Sequence, residues 1–216
     1  MFASIRRYRL VHGSMDELMR RVDGSFADEL GAQPGFVSYE FMDCGDGEVM
    51  TVSMFRDAEG ADASRELARR WTMENLQGFE FTRLEARRGE VMVSRAAQDM
   101  LAPAHAGSTD RFASIRRYHL RSGSTADLVH VVDETFAERI GEMDGFEAYH
   151  VVDCGAGEIM SMSFFRDLAT AEESDNRALE FVRDELGDFD IERTEIVGGE
   201  VAVTRAMEEL LEPAHA

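Results

Sequence analysis

Lysine is absent from this 216-residue chain, so all 23 basic residues are arginine. A lysine Schiff base, a lysine general base and the lysine of a phosphate-binding P-loop are therefore excluded. Only two cysteines are present, Cys44 and Cys154, and they occupy equivalent places in a D-C-G turn that occurs twice. Two such cysteines do not make a disulfide framework, and we expect both to be reduced thiols.

Positive charge is also scarce overall, because 43 acidic residues outweigh the arginines and give a formal net charge of −20. A nucleic-acid partner requires clustered positive charge and is disfavoured by this balance. No apolar run approaches the roughly 20 residues of a membrane span, and no apolar signal segment follows the N-terminus. We therefore expect a cytoplasmic protein without a membrane partner.

Metal-binding patterns are missing as well. The six histidines are scattered, and neither an HxxxH nor a CxxC spacing occurs. The D-C-G-D-G turn lacks the further acidic positions of an EF-hand, so Asp43, Asp46 and Glu48 are interpreted as solvated hairpin residues. We expect no metal and no cofactor.

The chain does contain an internal duplication. Phe2–Leu10 reads FASIRRYRL and Phe112–Leu120 reads FASIRRYHL, and an offset of 110 aligns 1–106 with 111–216 without a gap. In this alignment 47 of the 106 residue pairs are identical. Each half has the usual size of a domain. The repeat predicts two domains, 1–106 and 111–216, joined by a linker at 107–110.

Each half predicts the element order β-α-β-β-α-β. The FASIRRY segment alternates as a strand, and Ser14 or Ser124 then caps a helix with an apolar stripe. Alternating runs around a Gly-rich turn predict a hairpin at 35–55 and at 145–165. A second helix is predicted to end near Leu76 and Leu186, and a last strand covers 89–95 and 199–205.

This order is typical of an α+β, ferredoxin-like unit with both helices on one face of an antiparallel sheet. The larger side chains of the third strand, Met50, Val52 and Met54, are predicted to lie under the helices, and Thr51 and Ser53 to lie on the other face. That other face is too apolar to meet water, so we expect the two repeats to pack sheet to sheet as an intramolecular pseudo-twofold α/β barrel. The expected state is a monomer, with exchange between two chains as the alternative.

Three motifs carry a resemblance to a known group of proteins. They are Pro34-Gly35-Phe36 before the second strand, Phe55-Arg56-Asp57 before the second helix, and the small residues with Trp71 inside that helix. With them, both halves resemble the dimeric α/β-barrel superfamily, and within it the antibiotic-biosynthesis-monooxygenase-like domains. The resemblance implies a tandem duplication of a barrel that other members build from two chains. It implies activities that include cofactor-independent oxidation of quinol-like aromatics, haem degradation and small-molecule binding.

The functional residues that are typical of superfamily members are only partly present in this sequence. Haem-degrading members resemble one another in a strand-one asparagine and a second-helix histidine, whereas this chain has Tyr8 and Tyr118 and no such histidine. Aromatic-oxidising members are similar in an asparagine and a tryptophan on the second helix, which Trp71 and Asn75 match in the first half only. Phe181 replaces the tryptophan in the second half, so Trp71 is interpreted first as a core residue and second as a site residue.

Further site candidates come from the strands. Ser4, Arg6 and Tyr8 share a strand face that we expect to line a pocket, as do Ser114, Arg116 and Tyr118. A buried arginine needs an anionic partner, which is either an internal carboxylate or a ligand carboxylate. His119 and His150 occur only in the second half and are either general bases or isolated surface residues.

Two functions are compatible with these features. One is a binding module that holds a small apolar or aromatic molecule between sheet and helices, which the lack of a clear acid-base pair favours. The alternative is a cofactor-independent monooxygenase acting on a small aromatic or quinol-like substrate. The ligand-binding candidates for either function are Ser4, Arg6, Tyr8, Trp71, Ser114, Arg116, Tyr118, Phe181, His119 and His150.

Overall fold

The structure is a computed structural model that describes residues 1–108 and 110–214. Thr109 of the predicted linker and His215 and Ala216 of the second tail lie outside the described residues. The chain divides into two compact units. The first consists of Met1–Arg88, Leu101–Thr109 and Gly199–Glu209, and the second of Gly89–Met100, Asp110–Gly198 and Leu210–Ala216.

The first repeat follows the predicted element order. Its elements are β1 (Phe2–His12), α1 (Met15–Arg21), a π-helical turn (Val22–Phe26), α2 (Ala27–Gly31), β2 (Phe36–Asp43), β3 (Glu48–Phe55), α3 (Ala58–Asn75), β4 (Glu80–Ala96) and a 3₁₀ turn (Gln98–Leu101). The Ser14 hydroxyl accepts a hydrogen bond from the Glu17 amide, which confirms the predicted cap.

The second repeat reproduces this order. Its elements are β5 (Phe112–Ser122), α4 (Thr125–Val131), a π-helical turn (Val132–Phe136), α5 (Ala137–Gly141), β6 (Phe146–Gly155), β7 (Glu158–Phe165), α6 (Leu168–Glu185), β8 (Asp190–Ala206) and a 3₁₀ turn (Glu208–Leu211). The α+β class and the two tandem ferredoxin-like repeats are confirmed. None of the helices in the described ranges combines the length and apolar character that a membrane crossing requires.

The strands pair antiparallel, in the hydrogen-bonded order β1-β3-β2-β8 in the first unit and β5-β7-β6-β4 in the second. β1 pairs with β3 from Phe2 opposite Phe55 to Arg9 opposite Glu48, and β5 pairs with β7 in the same register. β4 and β8 have 17 residues each, far longer than predicted. Their C-terminal parts pair with β6 and β2 respectively, which is why each unit includes a segment of the other repeat.

Glycine permits the long strands to pass close to other backbone. A Cβ atom on Gly89 would lie 1.9 Å from the carbonyl oxygen of Asp153, and one on Gly199 would lie 2.5 Å from that of Asp43. Neither distance is sterically allowed, so these positions require a residue without a side chain.

The predicted strand faces were wrong. Helix residues of the first unit pack against Tyr39, Phe41, Val49 and Phe55, and Thr51 and Ser53 lie on this same helix-covered face. Met50, Val52 and Met54 belong to the opposite face and are also fully buried. Because both faces are buried, side-chain size and hydrophobicity did not distinguish them.

Candidate functional site

A cavity of about 720 Å³ lies between the sheet and the helices of the first unit. This volume falls within the range of roughly 300 to 1,000 Å³ that is typical of small-molecule sites. The floor is formed by β1 and β3, and it includes the side chains of Thr51 and Ser53. The roof is formed by α3 and by the helical segment that contains the first π turn.

Aromatic side chains form one wall of this cavity. The indole of Trp71 donates a hydrogen bond to the Ser25 hydroxyl at 2.9 Å, and its ring centroid lies 5.0 Å from that of Phe26. Tyr39 packs edge-on against Phe26, and burial raises the pKa of its hydroxyl. Trp71 is only 3% exposed, so it is a core residue that also lines the cavity.

Arginines form the other wall. Arg6, Arg65, Arg69 and Arg83 line the cavity together with only two acidic residues, Asp62 and Glu66. Two more cations than anions therefore face this space, in a chain whose net charge is −20. Asp62 already pairs with Arg65 at 3.3 Å and with Arg88 at 2.7 Å, and Glu66 pairs with Arg69 at 2.7 Å.

Arg6 is the innermost of these cations, because it lies on β1 in the cavity floor. Partial burial lowers the pKa of its guanidinium, and the nearby Arg65 and Arg83 act in the same direction. Over residues 1–108 and 110–214, no hydrogen bond or ion pair joins Arg6 to another side chain, and no acidic group is among the charges that act on it. The buried Ser53 hydroxyl of the same floor also has no hydrogen-bond partner within those ranges.

The equivalent position in the second unit is built differently. Arg116 is completely buried and forms a salt bridge from Nε to Asp175 Oδ1 at 2.7 Å. Its guanidinium also donates to the Ser163 hydroxyl at 2.7 Å and to the Ser174 hydroxyl, and the Ser114 hydroxyl donates to Asp175. We call these five residues the Arg116 network. Here the internal carboxylate that was one of the two predicted alternatives is present.

The second unit accordingly has little free space. Its cavity measures about 30 Å³ and is lined almost entirely by apolar side chains, Tyr118 and Phe181 among them. A volume of this size holds about one or two water molecules. In the alignment of the repeats, Asp175 stands where the first repeat has Arg65 and Leu179 stands where it has Arg69, and neither residue lines the smaller cavity.

The two histidine candidates do not line either cavity. His119 is partly exposed and its Nδ1 lies 2.8 Å from a carboxylate oxygen of Glu158. His150 is fully buried beside the Ser94 hydroxyl, 3.0 Å from Nδ1, and near the Phe164 ring. Burial lowers the pKa of His150 to about 4, so the ring is neutral at physiological pH.

The remaining predicted residues are distributed as follows. Arg6, Tyr8 and Trp71 share the first cavity, whereas Ser4 is buried beneath it without lining it. The Asn75 amide donates to the Trp71 carbonyl at 3.0 Å and is thus bound to its own helix. The sequence prediction missed Arg65, Arg69, Arg83 and Ser53, although the charge reversal between Arg65 and Asp175 in the repeat alignment could have revealed them.

The comparisons with known proteins support the fold. No family model matches the sequence, and no curated protein matches it. Among solved structures, a candidate monooxygenase from Fusobacterium nucleatum aligns with a TM-score of 0.67 at 8% identity over 94% of both chains. Another candidate monooxygenase from Lactobacillus acidophilus gives 0.65 at 10% identity over 95% of this chain and 97% of that one. An anthrone oxidase-like protein gives 0.54 at 12% identity over 97% and 95%.

These neighbours are dimeric α/β-barrel proteins, and the chain has the fold of that superfamily. The resemblance recognised in the sequence is thereby confirmed at the level of the fold. At sequence identities this low, the substrate and the reaction of those proteins are not assigned to this one.

Proposed function

We propose that this protein binds one small aromatic or apolar molecule per chain, in the cavity of the first unit. The observation that carries the proposal is the 720 Å³ space between sheet and helices, walled by Trp71, Tyr39 and Phe26. Aromatic rings in such a wall offer a ligand large apolar area and edge-to-face contacts. The second unit, with about 30 Å³, has no room for such a molecule.

The test is a calorimetric titration of the full chain with naphthalenemethanol, a neutral aromatic probe. We expect saturable binding with a stoichiometry of one. Thr51→Trp should abolish it by filling the cavity floor, whereas Thr51→Val, which keeps the side-chain volume, should bind as the wild type does. Binding that persists in Thr51→Trp, or a stoichiometry of two, would contradict the proposal.

Oxidation of the bound molecule is the second candidate function, favoured by the similarity to an anthrone oxidase-like protein. An anthrone-type substrate would be oxidised by O₂ to the quinone, with one oxygen atom entering the product and the other leaving as water. Trp71 and Asn75, the pair that the superfamily resemblance singles out, are bound to Ser25 and to the α3 backbone. We therefore favour binding, and O₂ uptake with anthrone no faster than that of Thr51→Trp would reject the oxidase.

We further propose that the chain works as a monomer in the cytoplasm and has no nucleic-acid partner. In the part of the chain that the structure describes, Cys44 and Cys154 form no disulfide, as expected in a reducing compartment, and the net charge of −20 opposes phosphate backbones. Light scattering at micromolar concentration should give a particle of one chain mass, and a particle of two masses would contradict the monomer.

A further inference from the structure

The second unit shows what the floor of the first cavity is built to hold. In the Arg116 network a carboxylate is held by Nε of an arginine on the first strand of the repeat and by a serine hydroxyl of that strand. The same arginine is braced by Ser163 on the third strand and Ser174 on the second helix. Arginine and hydroxyl donors of this kind are the groups that bind carboxylates most strongly.

The arginine and the three serines of this network all have counterparts in the first unit. Ser4, Arg6, Ser53 and Ser64 occupy the positions of Ser114, Arg116, Ser163 and Ser174. The first and third strands pair in the same register in both repeats, so the strand residues of the two sets occupy equivalent backbone positions. Only the carboxylate is missing, because Arg65 replaces Asp175.

Because this carboxylate is missing, the first unit has cationic and hydroxyl groups that could bind an anion from outside the protein. Arg6 has no acidic partner in the described ranges, and the hydroxyl of Ser53, unlike that of Ser163, accepts no hydrogen bond. Arg65 adds positive charge at the place where the second unit has the negative charge of Asp175, and Arg83, whose counterpart is Arg193, adds a further positive charge. A partly buried cation without a counter-charge is costly, and an anionic ligand group would reduce that cost.

We infer that the ligand of the first cavity is an aromatic or apolar carboxylate whose carboxylate takes the place of the Asp175 side chain. It would sit on Arg6 with Ser53 beside it, while Arg65 and Arg83 supply long-range attraction. The apolar part would extend along the Trp71 and Phe26 wall. This inference rests on the proposed binding function and adds the chemical class of the ligand.

The test compares two probes that share a ring system, naphthoate and naphthalenemethanol, by calorimetry on the full chain. We expect the wild type to bind naphthoate at least about tenfold more tightly, which is the difference expected for one charge-assisted contact. Arg6→Gln should lower the ratio of naphthoate affinity to naphthalenemethanol affinity to about one. Retained binding of the neutral probe also shows that the variant is folded.

A second variant tests the substitution directly. Arg65→Asp recreates the residue found at position 175 and should supply Arg6 with an internal carboxylate, so that naphthoate affinity falls about 10- to 100-fold. Arg70→Asp is the matched control, because it makes the same charge change on an exposed position of α3 outside the cavity lining. It should lower naphthoate affinity by less than about threefold through long-range charge alone.

The outcomes separate the inference from the function it rests on. Equal wild-type affinity for the two probes, or a naphthoate preference that survives Arg6→Gln, overturns the carboxylate assignment while the binding function stands. An equal loss of naphthoate affinity in Arg65→Asp and Arg70→Asp also overturns it. Failure of both probes to bind the wild type rejects the binding function itself, and the carboxylate assignment with it.

Discussion

The two repeats place an arginine at the same point of the same strand and surround it in opposite ways. Arg116 is fully buried and bound to Asp175, whereas Arg6 faces a large cavity beside two further arginines. The backbone pairing around both arginines is the same. The difference therefore arises from a few side chains and not from the fold.

Each arrangement solves the problem of a charge inside a protein. In the second unit a carboxylate and two serine hydroxyls replace the water that Arg116 loses. In the first unit Arg6 lines a cavity that is large enough to hold water. A duplicated chain can use one repeat for stability and the other for binding, since only one of two equivalent sites has to remain open.

The largest effect should come from removing the carboxylate of the Arg116 network. Asp175→Ala leaves a fully buried guanidinium without a counter-charge, and we expect the free energy of unfolding to fall by about 3 kcal/mol. Urea denaturation of the full chain measures this loss. Arg65→Ala, the equivalent truncation in the first repeat, should change the free energy of unfolding by no more than about 0.5 kcal/mol because its side chain is exposed.

Acetate provides a second readout of the same variant. At matched ionic strength acetate should stabilise Asp175→Ala against urea more than chloride does, because it can replace the lost carboxylate next to Arg116. The wild type, in which Asp175 already occupies Arg116, should gain less stability from acetate than this variant does. An Asp175→Ala protein as stable as the wild type would mean that Arg116 does not depend on this ion pair.

The next effect concerns the close backbone contacts of the long strands. Gly89→Ala would place a methyl group 1.9 Å from the Asp153 carbonyl oxygen and should cost about 2 to 3 kcal/mol of unfolding free energy. Gly199→Ala meets the Asp43 carbonyl at 2.5 Å and should cost less. Thermal unfolding ranks the two, with Gly141→Ala as the control, since nothing lies within 4 Å of a Cβ there. The opposite ranking would contradict the predicted difference between the repeats.

The sequence predicted most of the fold because the repeat supplied each pattern twice. The apolar stripe of the first helix, the Gly-rich hairpin and the start of the second helix after Asp57 are all confirmed. The N-terminal part of β4 was missed because charged side chains, such as Glu80, Arg83 and Arg87, interrupt the apolar alternation that is typical of a strand. The π-helical turns carry no pattern that differs from an ordinary helix.

The site was less predictable for a specific reason. The sequence identified Arg6, Tyr8 and Trp71 one by one. Most of the charged side chains near Arg6, however, lie on α3, and the helical pattern predicts only that these side chains face solvent. The small size of Thr51 and Ser53 was taken to put them on the face away from the helices, whereas both residues line the cavity beneath the helices. Cavity formation depends on the sum of several side-chain volumes, which no single motif records.

A smaller difference between the repeats is the pH dependence of the unfolding free energy, to which His150 contributes in the second repeat only. Because burial lowers the pKa of His150 to about 4 in the fold, below its ordinary value of 6.5, the folded protein resists protonation there. The stability due to this group is complete above pH 6.5 and falls as the pH drops towards 4, by about 2 kcal/mol between pH 6.5 and pH 5. Urea midpoints of wild type and His150→Gln over this range measure the difference, and parallel profiles would contradict it.

The smallest expected effect is one in which the repeats should agree. The hydroxyls of Ser14 and Ser124 accept hydrogen bonds from the third amide of their helices at 3.4 and 3.3 Å, which are long distances for a cap. Ser14→Ala and Ser124→Ala should therefore each cost about 0.5 kcal/mol of unfolding free energy, at the low end of the range for cap removal. Both serines are exposed and lie outside the two cavities. The difference in charge between positions 65 and 175 should therefore not change how much either cap contributes to stability. Equal losses in urea denaturation would restrict the asymmetry to the cavity, whereas a clearly larger loss in one repeat would show that the repeats differ in overall stability.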